Sequence, residues 1–249
     1  MDIIYNPETP NVTEGLTLPS RAHTMIGRHR LNNIQQCLEY IFDHNIEGDC
    51  IEAGVWRGGA CIFMKAVLTA HNQQRKVFVA DSFQGFPPAN SKTDKYPIYY
   101  GMDINSIDAI KISMEEVLSN FKKYSLLDDN VVFLKGWFKD SLNTDQIGKL
   151  SLIRLDSDLY ESITDSITHL YPKLSQNGFI IVDDYYNIGQ TTQAIEDYRS
   201  KHHITDPIIK IDQVACYWQK SQSSSFQLPT HDQVGTYTIG HKLHTVRNQ

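Results

Sequence analysis

The sequence has no CxxC pair, no block or stripe of basic residues, and no apolar stretch that approaches membrane-spanning length. Each absence removes a class of protein. The four cysteines, Cys37, Cys50, Cys61 and Cys216, are scattered without metal-ligand spacing, which leaves small reduced core side chains as their ordinary reading. Reduced thiols fit a cytoplasmic location. With 23 Lys and Arg against 29 Asp and Glu the formal net charge is −6, so nucleic acid is not an expected partner. The opening MDIIYNPETPNVTEG carries neither a basic n-region nor an apolar core, and no export signal or membrane contact is expected. The glycines in AGVWRGGA do not spell GxGxxG, so the dinucleotide fingerprint is missing too.

What the chain does contain is alternation. Its 249 residues are enough for one α/β domain with a full core. Residues 1–22 read as an N-terminal arm without periodicity. From Met25 and Ile26 through Leu31, Ile34, Leu38, Ile41 and Phe42 the apolar spacing is helical, and it ends before Gly48. Strands are expected at 49–55, 76–80, 131–135, 150–155 and 178–182, with helices at 59–70, 106–124, 162–171 and 191–202. Residues 86–101, broken by Pro87, Pro88 and Pro97, read as a loop, and 208–211 with 214–218 as a terminal strand pair. This order predicts a doubly wound, mostly parallel sheet with an antiparallel terminal strand, formed by residues 23–220. Residues 221–249, with a weak strand-like hint at 236–239, read as a C-terminal appendage.

Four aspartates stand out: Asp156 and Asp158 in LIRLDSDLY, and Asp183 and Asp184 in FIIVDDYY. Each pair follows an apolar run of strand length, which places carboxylates where open α/β sheets bind ligands. Carboxylates converging on one point repel unless a cation neutralises them, and all-oxygen ligation suits a hard ion such as Mg²⁺. A plainer role stays open, because acids after strands also cap helices or face solvent. Gly54, Gly58 and Gly59 allow a tight turn and a close approach of backbone to a ligand, or serve the turn alone. Asp81, ending the second strand, is suited to the two hydroxyls of a ribose. Phe83, Trp137 and Phe138 suit either an adenine ring or the core.

With these residues assembled, the chain resembles the macrocin O-methyltransferase type of S-adenosyl-L-methionine- and Mg²⁺-dependent enzymes, which methylate sugar hydroxyls in antibiotic biosynthesis. The stretches HTMIGRHRLNNIQQC, EGDCIEAGVWRGGACIF, VADSFQGFP, LLDDNVVFLKGWFKDSL, the two aspartate segments and YWQK carry the likeness from about His23 to Lys220. It implies the Rossmann-like fold of class I methyltransferases. It also implies Asp156, Asp183 and Asp184 as Mg²⁺ ligands, with two neighbouring sugar oxygens completing the shell, and Asp158 as general base. Thr24 and Met25 would lie over the cofactor, Glu52 and Gly54 at its methionine part, Asp81 at its ribose. Ser82, Trp137 and Asp140 would line the adenine or acceptor side. His23 and His29 are alternative proton acceptors, with a surface or hydrogen-bonded histidine as the ordinary reading of each. The implied partners are a small-molecule glycoside and further copies of the chain. The family's longer N-terminal segment is not matched here, residues 88–105 differ from its acceptor wall, and the tail beyond Lys220 is extra. Two other readings remain open: a catechol-type acceptor, whose adjacent oxygens suit the same metal geometry, and a noncatalytic cofactor-binding assembly protein.

Overall fold

The computed structural model describes residues 21–88, 92–93, 98–99, 102–103 and 108–220. Residues 1–20 of the N-terminal arm, most of 88–105 and the whole 221–249 appendage lie outside the described residues.

Seven strands form one sheet in the spatial order β5 (Val131–Lys135), β2 (Val77–Asp81), β1 (Asp49–Ala53), β6 (Leu150–Leu155), β7 (Leu174–Val182), β9 (Cys216–Gln219) and β8 (Ile209–Lys210). Neighbours from β5 to β7 pair in parallel, while β9 is antiparallel to both β7 and β8. This is the expected doubly wound sheet with a reversed strand near its end. The parallel strands are apolar runs because helices cover both of their faces, and all six residues of β6 are buried.

Side chains alternate across a strand, so each face has its own core. On one face α1 (Arg28–Asp43), α2 (Gly59–Ala70) and α3 (Met114–Lys123) bring Ile34, Leu38, Ile62 and Phe121 against Cys50, Leu152, Phe179 and Ile181. On the other, α5 (Tyr160–Leu170) and α6 (Gly189–Lys201) bring Ile163, Ile167 and Ile195 against Ile51, Ile153, Leu155, Ile180 and Val182. A short α4 (Phe138–Ser141) follows β5. The four cysteines are buried and free of disulfides. Among the described residues no helix is long and apolar enough to cross a membrane.

Two elements depart from expectation. The helix read over 106–124 begins only at Met114, after a 3₁₀ turn at Asp108–Ile110. Ser113 stops it from starting earlier: its backbone is extended and its Oγ accepts a hydrogen bond from the Glu116 N–H at 3.1 Å. The stretch read as a loop over 86–101 contains β3 (Ile98–Tyr99), paired antiparallel with β4 (Met102–Asp103).

Candidate active site

β1 connects onward to β2 on one side and β6 to β7 on the other, so a crevice opens at the carboxyl ends where the winding reverses. A cavity of about 340 Å³ lies there, lined by Gly54, Asp81, Gly136, Asp156 and Asp184 from the ends of five parallel strands. Met25, Trp56, Pro87, Ile110, Trp137 and Phe138 give it apolar walls. Gly54 makes the crossing of the β1 and β6 ends possible: its φ is +87°, and a Cβ there would sit 1.8 Å from the Asp156 carbonyl oxygen.

Asp81 stands at the cavity's edge with its carboxylate oriented by backbone. Its Oδ2 accepts from the Val55 N–H at 2.9 Å and its Oδ1 from the Phe83 N–H at 2.8 Å. Burial raises its pKa, and those two N–H groups oppose the rise. Ser82 lines the cavity too, with its hydroxyl donating to the Gly85 carbonyl at 2.7 Å. Met25 reaches the cavity from a strap whose neighbours are fixed. The His23 carbonyl accepts from the Gly59 N–H at 2.8 Å, Arg57 donates to the Ala22 carbonyl at 3.1 Å, and His23 Nδ1 lies 2.9 Å from the Tyr124 hydroxyl. Thr24 is buried in that strap, where its hydroxyl oxygen accepts from the Ile26 N–H. His23 and His29 are not among the residues lining the cavity. Neither are Gly58 and Gly59, where a Cβ would meet Val117 and His23 respectively, nor Asp140, which is exposed on α4.

The aspartates divide. Asp156, Asp158 and Asp184 each place a carboxylate oxygen within 4.8 Å of the others. Asp158 and Asp184 take positive φ values, 58° and 56°, uncommon for residues with a side chain, at the two turns that follow β6 and β7. Burial and the charge of Asp156 push the Asp158 carboxyl up to about 7, and burial with its acidic neighbours drives Asp184 well above the ordinary carboxylate range. Asp183 belongs to the other face of β7, the one carrying Phe179 and Ile181. There its carboxylate accepts from Arg30 Nη1 at 2.6 Å and from Arg154 Nη2.

Arg154, Arg30 and Asp212 form the part of the site that motif reading missed. Arg154 lies within β6, 1% exposed, on the same face as Leu152. Its guanidinium binds Glu52 of β1, Asp183 of β7 and, at 2.7 Å, Asp156. Glu52, expected at the cofactor, is not among the residues lining the cavity, and its other oxygen accepts from the Cys61 thiol at 2.8 Å. Burial outweighs the ion pair and raises the Glu52 pKa to about 7. Arg30 continues the chain of charges to Asp212 at 3.0 Å. The signal was present in LIRLD: a guanidinium at a buried strand position requires carboxylate partners on the same face.

Known proteins share this sequence and fold. The macrocin-O-methyltransferase (TylF) family matches residues 5–220, which extends the likeness upstream of His23. The demethyldecarbamoylnovobiocin O-methyltransferase of Streptomyces niveus is 47% identical over 223 residues, covering 89% of this chain and 84% of that one. The 8-demethyl-8-(2,3-dimethoxy-alpha-L-rhamnosyl)-tetracenomycin-C 4'-O-methyltransferase of Streptomyces olivaceus is 45% identical over 216 residues, 86% of this chain and 82% of that one. The solved structure of the O-methyltransferase NovP superposes with a TM-score of 0.80 at 47% identity, covering 85% of this chain and 88% of its own. A carboxylate-rich crevice at the switch point of a class I methyltransferase sheet, in a chain matched to this family over residues 5–220, makes this protein a member of the macrocin O-methyltransferase family.

Proposed function

We propose that this O-methyltransferase transfers the methyl group of S-adenosyl-L-methionine to a sugar hydroxyl of a glycosylated small molecule, with Mg²⁺ bound at the aspartate cluster. The observation that carries the reading is one cavity that joins Gly54 and Asp81 to three convergent carboxylates. The donor set fits a hard cation. Among the described ion pairs, Arg154 with Asp156 is the one that reaches the convergent trio of Asp156, Asp158 and Asp184, so the trio gathers more acid than counter-charge. A bound Mg²⁺ would neutralise that excess and make a coordinated hydroxyl more acidic. The sulfonium of the cofactor supplies an electrophilic methyl group.

The chain's own residues do the rest. Asp156 and Asp184 would hold the cation. Asp183 would complete the ligand set while sharing its carboxylate with Arg30 and Arg154. Asp158 takes the hydroxyl proton, a task that suits a carboxylate lying in the cavity within 4.8 Å of Asp156 and Asp184. Asp81 accepts from the ribose hydroxyls, Gly54 admits the methionine part beside the β1 turn, and Met25 and Trp137 cover the cavity. Holding donor and acceptor in line contributes on the order of 7 kcal/mol where alignment is good. A sugar acceptor is favoured over a catechol by the rhamnosyl group in the name of the tetracenomycin relative.

A second division of labour rests on the compactness of Asp156, Asp158 and Asp184: Asp158 is the third ligand, and Asp183 stays with the arginines. Calorimetry of S-adenosylhomocysteine followed by Mg²⁺ separates the two. Loss of Mg²⁺ binding in Asp183→Asn with retention in Asp158→Asn supports the first assignment, and the reverse supports the second. Methyl transfer that persists in chelator sinks the metal role. Product formed from a catechol and none from a deoxysugar glycoside sinks the acceptor. Tight cofactor and metal binding with no turnover on any glycan returns the chain to the noncatalytic reading.

A further inference from the structure

Ser157 separates Asp156 from Asp158, and neither the motif nor the carboxylate cluster gives it a task. It is 4% exposed and lines the cavity. Among the described residues it is the one cavity-lining residue whose buried side-chain polar atom has no hydrogen-bond partner. Its backbone is fixed: the Ser157 carbonyl accepts from the Leu159 N–H at 2.6 Å, and its N–H nitrogen lies 3.3 Å from where a Cβ on Gly54 would stand. A desolvated hydroxyl without a partner is unfavourable, and alanine would fill the same space without that penalty. The fold therefore gives no reason for the oxygen, and a ligand in the cavity does.

We propose that Ser157 Oγ hydrogen-bonds the nucleoside half of the cofactor. This rests on the reading of the cavity as the cofactor site. The nucleoside is favoured over the metal and the acceptor by company. Ser157 shares the cavity with Asp81, Trp137 and Phe138, a carboxylate and two aromatic side chains suited to a ribose and a purine face. It is a binding residue, with no part in proton transfer.

The test is calorimetry of native protein and Ser157→Ala with S-adenosylhomocysteine, with 5′-methylthioadenosine, which lacks the amino-acid part, and with Mg²⁺, together with the melting temperature of the ligand-free proteins. Ser157→Ala should bind both nucleosides about 3- to 10-fold more weakly, the loss of one neutral hydrogen bond. Mg²⁺ affinity and the ligand-free melting temperature should not fall. A lowered ligand-free melting temperature with unchanged nucleoside affinity would mean a structural hydroxyl, and weakened Mg²⁺ binding alone would mean a metal ligand; either overturns the proposal. Native protein that binds neither nucleoside removes the cofactor reading itself, and this proposal with it. Native binding that Ser157→Ala leaves intact removes only the proposal.

Discussion

At the scale of single residues, the site depends most on Arg154. One guanidinium, 1% exposed, neutralises or orients Glu52, Asp156 and Asp183. Arg154→Met leaves Glu52 and Asp156 without this counter-charge and Asp183 with Arg30 alone, and breaking a buried pair in this way costs about 3–5 kcal/mol, readable in urea denaturation. Arg154→Lys should recover only part of it, because an ammonium lacks the planar fork. The aspartates were legible in the sequence because each pair ends an apolar run. Arg154 was not, because a charge inside such a run reads as an interruption until neighbouring strands are laid beside it. A pH dependence belongs at this scale too. Asp158 and Glu52 have folded-state pKa values raised to about 7, well above the range they take in the unfolded chain. Between about pH 4 and 7 the folded protein thus holds more protons than the unfolded one, and stability falls as pH rises. Calorimetric melting of metal-free protein should show that decline, and Asp158→Asn should flatten it; a variant with the native slope would acquit Asp158.

At the scale of elements, the strand period decides which acid does what. Asp183 continues the face of β7 that carries Phe179 and Ile181, and so meets Arg30 on α1. Asp184, one step on and in a positive-φ turn, joins Asp156 and Asp158 instead. The sequence names the doublet, and the alternation that parts its members was there to be counted from FIIV. Helix starts were less legible. The apolar spacing over 106–124 overran Ser113, although S-x-x-E at Ser113 to Glu116 marks the start. Ser113→Ala should cost about 1 kcal/mol in chemical denaturation while leaving cofactor affinity untouched. Two glycine substitutions make a sharper pair. Gly54→Ala drives a methyl into the Asp156 carbonyl and should abolish S-adenosylhomocysteine binding. Gly189→Ala, at the opening of α6 with nothing within 4 Å of the added carbon, should stabilise by about 0.4–1 kcal/mol. Equal effects from the two would refute the packing argument.

At the scale of the whole molecule, the alternation of strand and helix was enough to read the winding, because parallel strands need crossovers and crossovers have one hand. The partnership between distant charges was not readable this way, since nothing local joins residue 30 to residue 212. Mg²⁺ should act on the molecule as a whole by raising its melting temperature, more at pH 8 than at pH 5, because ligation requires deprotonated carboxylates. A shift independent of pH would place the ion elsewhere. The Arg30 link has one more consequence. Arg30 stands on the first helix, while Asp212, whose Oδ1 accepts the Val214 and Ala215 N–H groups at 2.8 Å each, shapes the turn between the last two strands. Their meeting beside Asp183 ties the carboxyl end of the parallel strands to the arrival of the closing hairpin. During synthesis every carboxylate of the crevice emerges from the ribosome before that hairpin does, so a nascent or truncated chain carries these acids without their frame. The closing hairpin is thus anchored at the same end of the sheet that carries the carboxylate crevice.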